Sequence, residues 1–221
     1  MFSGLGALSP LDGRYYNSAK ELNAYFSEAA LMQYRIYVEI EYLLALSKQK
    51  EIKKRLHIDD KEQSKLRKLY QNFDLNVAKE IKEIEKKINH DVKAIEYYIQ
   101  NKTRSSLHPW IHFALTSEDV NNISYSLMWK HALEKVYLPS ASSLQKKLLG
   151  LIIEYRKSPM LSLTHGQPAT PTTFGKEIRV FYNRIERQIV RLKKGVLLAK
   201  MSGATGTWSA HNIAFASVDW F

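Results

Sequence analysis

His165 is the residue of this sequence best placed for acid–base chemistry. It lies between Thr164 and Gly166, in a short polar segment that contains two prolines and precedes a long helical pattern. We expect a histidine in such a turn to face a cleft rather than a core, where its imidazole can donate or accept a proton near neutral pH. The glycine lets a ligand approach the backbone closely, and the amide of Gln167 could bind a carboxylate or a polar ring. Because a lone histidine is more often structural than catalytic, the rest of the sequence must decide between the two.

Two further polar clusters interrupt helical sequence upstream of this turn. Asn89, His90 and Asp91 either contact a substrate or simply cap the helix that follows them. Thr116 and Ser117 precede another helical pattern. They serve either as an N-cap or as an anion site made of two hydroxyl groups and the free backbone N–H groups of a helix start. Both interpretations stay open on these residues alone.

The chain is basic, with 33 Lys and Arg residues against 22 Asp and Glu residues and a formal net charge of +11. Much of this charge alternates in sign at helical spacing, as in residues 80–87, which is typical of a solvated helix face. The excess favours an anionic ligand, either a small phosphorylated and carboxylated molecule or a nucleic acid. Arg14 and Tyr15 could form a phosphate clamp with an aromatic neighbour, or only a surface turn.

The composition excludes several kinds of site. The chain of 221 residues has no cysteine, which excludes disulfides, thiolate metal sites and a cysteine nucleophile and fits a cytoplasmic location. Its first residues lack the basic start and apolar block of a signal peptide. No apolar run approaches the roughly 20 residues that span a bilayer. We therefore expect a cytoplasmic protein without membrane contacts.

Apolar residues recur at spacings near 3.6 along most of the chain, which predicts an all-α fold. Ser27 and Asp91 are the predicted N-caps of two helices, and Pro139 indicates either a kink or a new helix start. The pattern predicts a small N-terminal helical domain at 1–105 and, at 106–221, the first part of a domain of long bundled helices. The predicted helices lie at about 27–47, 60–72, 75–88, 91–102, 117–135, onward to about 157, and 174–200, with turns at 158–171 and 202–207.

Five segments, in this order, resemble the adenylosuccinate lyases, a family of the fumarase/aspartase superfamily, and are most similar to its bacterial branch. They are Ser9–Tyr15, Asn89–Tyr97, Ile111–Asn122, Thr164–Pro171 and Gly175–Glu177. The resemblance covers nearly the whole chain. It implies the long-helix bundle of that superfamily, no metal and no organic cofactor, and a homotetramer whose active sites draw on more than one subunit.

The resemblance also implies a reaction and a set of roles. Fumarate is eliminated from adenylosuccinate to give AMP, and from the succinyl-carboxamide ribotide SAICAR to give AICAR. A base removes the proton β to the departing nitrogen, and an acid protonates that nitrogen as the C–N bond breaks. His165 matches the family's histidine acid, and His90 belongs to a segment that touches the substrate and orients the histidine chemistry. The other matched positions bind substrate: Arg14 and Tyr15 at the phosphate, Asn89 and Asp91 beside His90, Thr116 and Ser117 at the succinyl carboxylates, and Gln167 beside His165.

The catalytic base of this family has no match in the sequence. It is a serine on a mobile loop with a Gly-Ser-Ser, Met-Pro and Lys-x-Asn pattern, which is absent here. We expect the N-terminal part of such an enzyme, with little or no activity alone because acid and base act as a unit. Two alternatives remain. A sister lyase acting on argininosuccinate, aspartate or malate would share the fold and the histidine turn, and a basic helical nucleic-acid-binding module would explain the charge but not His165.

Overall fold

The computed structural model describes residues 6–220, and this part of the chain is mostly helical, which confirms the predicted all-α class. The helices are α1 (Tyr16–Ala19), α2 (Asn23–Phe26), α3 (Glu28–Lys48), α4 (Asp60–Gln71), α5 (Leu75–Ile88), α6 (Asp91–Asn101), α7 (Ser117–Ala132), α8 (Leu138–Glu154), α9 (Phe174–Lys194) and α10 (Ser209–Ala214). Shorter 3-10 turns lie at Lys20–Leu22, Ile52–Lys54 and Ser105–Trp110, and a π turn lies at Leu133–Tyr137. Strands β1 (Pro159–Thr164) and β2 (Gln167–Thr173) pair as an antiparallel hairpin. None of the helices within residues 6–220 has the length and apolar character that crossing a membrane requires.

Capping side chains fix where two of the long helices begin. The Ser27 hydroxyl accepts the Ala30 N–H group at 3.1 Å, which confirms the predicted start of α3. The predicted cap of α6 is wrong. His90, in an extended conformation, is the N-cap, and its Nδ1 accepts the Lys93 N–H group at 3.1 Å. Asp91 lies inside the helix, and its carboxylate accepts a hydrogen bond from a buried arginine instead.

Two segments differ from their predictions. Residues 158–171 belong to the β1–β2 hairpin rather than to a simple turn, because His165 and Gly166 both have positive φ and form its two-residue loop. Helix α9 ends at Lys194 instead of near residue 200, because the next residue, Gly195, adopts an extended conformation. Pro139 lies in the first turn of α8, directly after the π turn Leu133–Tyr137, and the residues on either side of that turn, Ala132 and Leu138, keep α-helical φ and ψ angles. The helical backbone is therefore not interrupted before the proline, and the π turn is the local irregularity that accompanies it.

Of the described residues, 6–130 and 198–220 form the first of two compact units, and α3 contributes much of its core. Ile36, Ile40 and Leu44 of this helix are at most 1% exposed. Helices α4, α5 and α6 all contact α3. A helix that is apolar around most of its circumference must be covered by others, so α3 organises the core of this unit.

Tyr42 of α3 connects two distant segments to this core. Its hydroxyl donates to the Phe113 carbonyl oxygen at 2.9 Å and lies 3.0 Å from Nε2 of the buried His211. Because the single hydroxyl proton is used at Phe113, Nε2 of His211 must carry the proton of the second bond. The compact units are not divided at residue 105, and the domain boundary at 105/106 stays a prediction.

The second compact unit comprises His131–Leu197. Its helices α8 and α9 pack closely at Gly175, where a Cβ atom would lie 2.7 Å from the Ile152 carbonyl oxygen and 2.8 Å from the Arg156 nitrogen. Only a residue without a side chain allows this approach. Many large apolar side chains of the unit are exposed: Tyr137, Leu144, Leu149, Leu151, Ile153, Met160, Leu161, Leu163, Phe174, Phe181, Val190, Leu192, Val196 and Leu197.

Candidate active site

A buried arginine on α3 brings two of the sequence motifs together. Arg35, which is 5% exposed, donates from Nη2 to Asp91 Oδ2 at 2.6 Å and from Nε to Asn121 Oδ1 at 2.9 Å. Asp91 opens α6 and Asn121 lies near the start of α7, so both helix starts are held by one guanidinium. Partial burial would raise the pKa of Asp91, but the charge of Arg35 and the hydrogen bonds to the carboxylate lower it below its ordinary value. Asp91 therefore stays ionised as part of the site.

One helical turn further along α3, Glu39 binds the ring and the backbone of His112. Its side chain is 1% exposed. His112 Nδ1 lies 2.6 Å from Glu39 Oε1, and the His112 N–H group donates to Oε2 at 3.1 Å. Burial alone would lower the pKa of His112, but the hydrogen bond and charge of Glu39 outweigh it, and the pKa is raised. His112 is therefore a candidate cation within this network.

The network continues along α6 toward the predicted His90. Glu96, which is buried, has Oε1 3.8 Å from Nε2 of His112, and its other oxygen accepts from Lys93 Nζ at 2.7 Å. The backbone N–H group of Lys93 is the one that His90 caps. His90 itself is thus the cap, which uses its Nδ1, while the exposed ring can still offer Nε2 to a ligand, and its contact with the substrate stays a prediction. The adjoining Asn89 is exposed and ends α5 with a φ of 54°.

Asp119, which is fully buried, organises the helix start at Thr116 and Ser117. Its carboxylate accepts the Thr116 N–H group at 2.9 Å, the Lys200 ammonium at 2.7 Å and the Gly203 N–H group at 3.2 Å. One N–H group that the predicted anion site would use is therefore already bonded to Asp119. Thr116 and Ser117 are themselves half-buried, so their hydroxyl groups remain candidates for binding a carboxylate.

His165 and Gln167 belong to the other compact unit. The φ angles of His165 and Gly166 are 49° and 75°, as a two-residue hairpin loop of type I′ requires at both central positions. Thr164 and Gln167 pair across the end of the ladder. Both His165 and Gln167 are exposed, so neither is a core residue. The acid role of His165 stays a prediction.

Arg14 and Tyr15 form an exposed turn before α1. The Tyr15 N–H group donates to the Pro10 carbonyl oxygen at 2.8 Å, and the Arg14 guanidinium carbon lies 5.8 Å from the Tyr15 ring centre. A guanidinium stacked in this way keeps its N–H groups available to an anion. The arrangement is compatible with a phosphate clamp and equally with a surface turn.

Backbone strain coincides with the motif segments. Within residues 6–220, the non-glycine residues with positive φ are Asn89 (54°), His112 (59°), Ala114 (57°), His165 (49°) and Trp208 (57°). The first four lie in segments that carry the family resemblance. Such conformations are unfavourable for residues with a side chain and concentrate at functional sites. No group of three or more His, Cys, Asp or Glu in the described part of the chain could hold a metal ion.

Sequence reasoning missed four residues of this network: Arg35, Glu39, His112 and Asp119. The first two carried a signal, since they are charged residues four apart inside the apolar pattern of α3. Charged side chains at two positions of a helix that is otherwise apolar indicate that each has a fixed polar partner on another element. His112 and Asp119 lay within a recognised segment, but only their contacts distinguish them from their neighbours.

Comparison with known proteins defines the class to which this chain belongs. A family model described as lyase matches residues 13–220, and the chain belongs to that lyase family. Its curated relatives include adenylosuccinate lyases. The one from Dictyostelium discoideum is 44% identical over 228 residues, which cover 99% of this chain and 49% of that protein. Those from Buchnera aphidicola (subsp. Schizaphis graminum) and Escherichia coli (strain K12) are 43% and 41% identical over the same shares of each chain.

The chain therefore spans about half the length of the curated relatives it matches. Solved structures are similar in fold. A fumarate lyase from Mesorhizobium sp. BNC1 aligns with a TM-score of 0.72 at 20% identity over 86% of this chain and 44% of that one. A β-carboxy-cis,cis-muconate cycloisomerase from Acinetobacter calcoaceticus sp. ADP1 aligns with a TM-score of 0.67 at 19% identity over 87% and 44%.

Proposed function

We propose that this chain is part of an adenylosuccinate lyase, which eliminates fumarate from adenylosuccinate to give AMP and from SAICAR to give AICAR. The observation that carries the proposal is the bridge from Arg35 to Asp91 and Asn121, because it joins two of the motif segments in one polar site. Similarity to adenylosuccinate lyases at 41–44% identity supports this substrate over argininosuccinate, aspartate or malate.

In the proposed mechanism His165 is the general acid. Its imidazolium donates a proton to the departing nitrogen as the C–N bond breaks, while a base removes the proton β to that nitrogen. Negative charge then grows on a succinyl carboxylate, where the hydroxyl groups of Thr116 and Ser117 stabilise it more in the transition state than in the ground state. The base is the family's loop serine, which this sequence does not contain, so the chain alone has little or no activity.

The substrate is a multiply charged anion, and the binding residues match that charge. Arg14 and Tyr15 bind the nucleotide phosphate. Asn89, His90 and Asp91 contact the substrate at the start of α6, with Asp91 fixed by Arg35, and Gln167 contacts it beside His165. The net charge of +11 favours the approach of such an anion. No metal or organic cofactor takes part, and neither nucleic acid nor membrane is a partner.

The assembly is a homotetramer in the cytoplasm. The exposed apolar side chains of α8 and α9, such as Leu144, Ile153 and Phe181, support this proposal, because apolar surface on long helices is stabilised when neighbouring helices cover it. The active site then draws on more than one subunit, as the resemblance implies.

Fumarate release from adenylosuccinate tests the proposal, with the longest reading frame that contains this chain assayed beside residues 1–221. His165→Asn is the informative variant, because Asn-Gly is the preferred pair in a type I′ loop and keeps the hairpin while removing the imidazole. We expect at least about a hundredfold loss of kcat. His57→Asn, at another exposed histidine, is the control and should retain full activity. If the long reading frame does not act on adenylosuccinate, the substrate assignment is refuted. If His165→Asn is fully active, the assignment of His165 as the acid is refuted. Turnover by residues 1–221 alone would refute the statement that this chain lacks the catalytic base.

A further inference from the structure

Glu39 is a carboxylate buried within the helical core. Its neighbours along α3, Ile36, Ile40 and Leu43, are at most 1% exposed. Removing a carboxylate from water is unfavourable unless hydrogen bonds and an opposite charge compensate for it. Both oxygens of Glu39 bond to the same residue, His112, so this compensation depends on one partner.

The two bonds fix the ring and the backbone of His112 together. The ring bond is 2.6 Å long and the backbone bond 3.1 Å, at a residue whose φ is 59°. Because Nδ1 carries the proton that Glu39 accepts, Nε2 on the far side of the ring is the atom left to meet a ligand. Burial raises the pKa of the Glu39 carboxyl, and its bonds to His112 counteract that rise. As a carboxylate, Glu39 favours the protonated ring, in which Nε2 is also a donor.

The charged groups that face His112 are few. Glu39 approaches from α3, and Glu96 and Lys93 approach from α6. The 3.8 Å between Nε2 and Glu96 Oε1 is too long for a hydrogen bond. Lys93 binds the other oxygen of Glu96 at 2.7 Å and offsets its charge. The imidazole is 14% exposed, so it lies at the edge of the core rather than deep within it.

We propose that Glu39 is a positioning residue for the lyase reaction: its buried carboxylate fixes His112 so that Nε2–H donates to an anionic oxygen of the substrate. This inference rests on the proposed function, since it names one group that binds the substrate anion. The oxygen belongs either to the phosphate or to a carboxylate of the substrate. If the Glu39 side chain only had to hold the backbone of residues 112–114, a neutral hydrogen-bond acceptor would be sufficient. A carboxylate at this position also sets the protonation of the His112 ring.

The first test concerns His112 itself and needs no activity. Ring NMR signals of residues 1–221, labelled at histidine and assigned with His112→Gln, are followed against pH in wild type, Glu39→Gln and Glu41→Gln. Glu41 is the matched control, because it lies on the same helix but bonds to Arg67 and Tyr70 at 2.8–3.0 Å. We expect the pKa of His112 to fall in Glu39→Gln and to stay unchanged in Glu41→Gln. An unchanged pKa in Glu39→Gln would overturn the proposal.

The second test uses the long reading frame. Glu39→Gln should raise KM for adenylosuccinate roughly tenfold at neutral pH, the effect of losing one charge-assisted hydrogen bond, with a smaller change in kcat. The rise should diminish at lower pH, where His112 is protonated without Glu39. Product inhibition identifies the oxygen: weaker inhibition by AMP alone indicates the phosphate, and weaker inhibition by fumarate alone indicates a carboxylate.

A double-mutant cycle separates positioning from stability. If Glu39 acts through His112, then Glu39→Gln has no further effect on KM in a His112→Gln background, whereas additive effects would overturn the proposal. Should Glu39→Gln fail to fold, Glu39→Asp replaces it, retaining the charge but shortening the reach by one methylene group. If the pKa of His112 is no longer raised in Glu39→Asp but KM for adenylosuccinate is unchanged, the proposal is also overturned. If the enzyme ignores adenylosuccinate, the proposed function fails, and the NMR test still judges the Glu39–His112 pair separately.

Discussion

Arg35→Met tests whether the bridge between α6 and α7 stabilises the first compact unit. Methionine keeps the apolar stem of the arginine but removes the guanidinium, so Asn121 loses its donor at 2.9 Å and Asp91 loses its partner at 2.6 Å. Asp91 is 50% exposed on its side chain, and water can replace the lost partner there. We therefore discount the ion pair and expect a loss of about 2 to 3 kcal/mol in the free energy of unfolding, mostly from the buried end of the bridge.

Urea unfolding followed by tryptophan fluorescence measures this loss. The four tryptophans, Trp110, Trp129, Trp208 and Trp220, all lie in the first compact unit, so the signal reports on the unit that contains Arg35. With a typical urea dependence, the midpoint should fall by about 1 M without a change in slope. The loss should shrink in acid: the pKa of Asp91 is lowered in the folded protein, so its contribution is present above the unfolded value of about 3.9 and disappears as pH falls through the folded one.

Arg104→Met is the matched control. Arg104 also bonds to a carboxylate, Glu62, at 2.6 Å, but its side chain is 48% exposed. An exposed pair of this kind contributes less than about 1 kcal/mol. If both variants lose the same stability, or if Arg35→Met loses less than about 1 kcal/mol, then burial of the guanidinium is not what makes the bridge important, and the reasoning fails.

Two further predictions concern packing and pH. Gly175→Ala should lower the free energy of unfolding by about 1 to 3 kcal/mol, because its Cβ would lie 2.7 Å from the Ile152 carbonyl oxygen. Gly150→Ala, whose Cβ would have nothing within 4 Å, is the control and should raise the free energy of unfolding by about 0.5 to 1 kcal/mol. If thermal unfolding shows that both variants change stability in the same direction, the close packing at Gly175 is contradicted. The raised pKa of His112 means that its stabilisation is full below the unfolded value of about 6.5 and is lost as pH rises through the folded value. Urea midpoints should therefore fall from pH 6 to pH 9 in wild type and fall less in His112→Gln; parallel curves would contradict this.

Local sequence patterns predicted most of the helices. The bounds expected at 75–88 and 60–72 agree with α5 and α4 to within one residue, and Ser27 caps α3 as predicted. These features depend on residues within one or two turns of each other, namely an apolar period and a hydroxyl group next to a free N–H group. The cap of α6 was misjudged because His90 and Asp91 both suit the position, and the choice depends on Arg35, which attracts Asp91 into another contact.

The β1–β2 hairpin shows where local rules compete. His165-Gly166 occupies a two-residue loop in which both φ angles are positive, but a histidine there is a weaker hairpin signal than asparagine or aspartate. The prolines at 168 and 171 also argue against a strand, and they are tolerated because each strand of this two-stranded sheet has a free edge. The sequence therefore indicated a break in the helical pattern but not its structure.

The sequence by itself determined the all-α class, the main helices and the segments by which the lyase family is recognised. Only the tertiary structure decided which charged groups meet. Arg35 is 56 residues from Asp91 and 86 from Asn121, and Glu39 is 73 from His112. The periodicity of apolar residues cannot predict contacts over such separations in sequence, because it describes a single helix or strand, whereas these hydrogen bonds connect different segments of the chain. The pairs exist because α3 is buried on nearly all sides, and a charge on a buried helix is stable only where another element brings its partner.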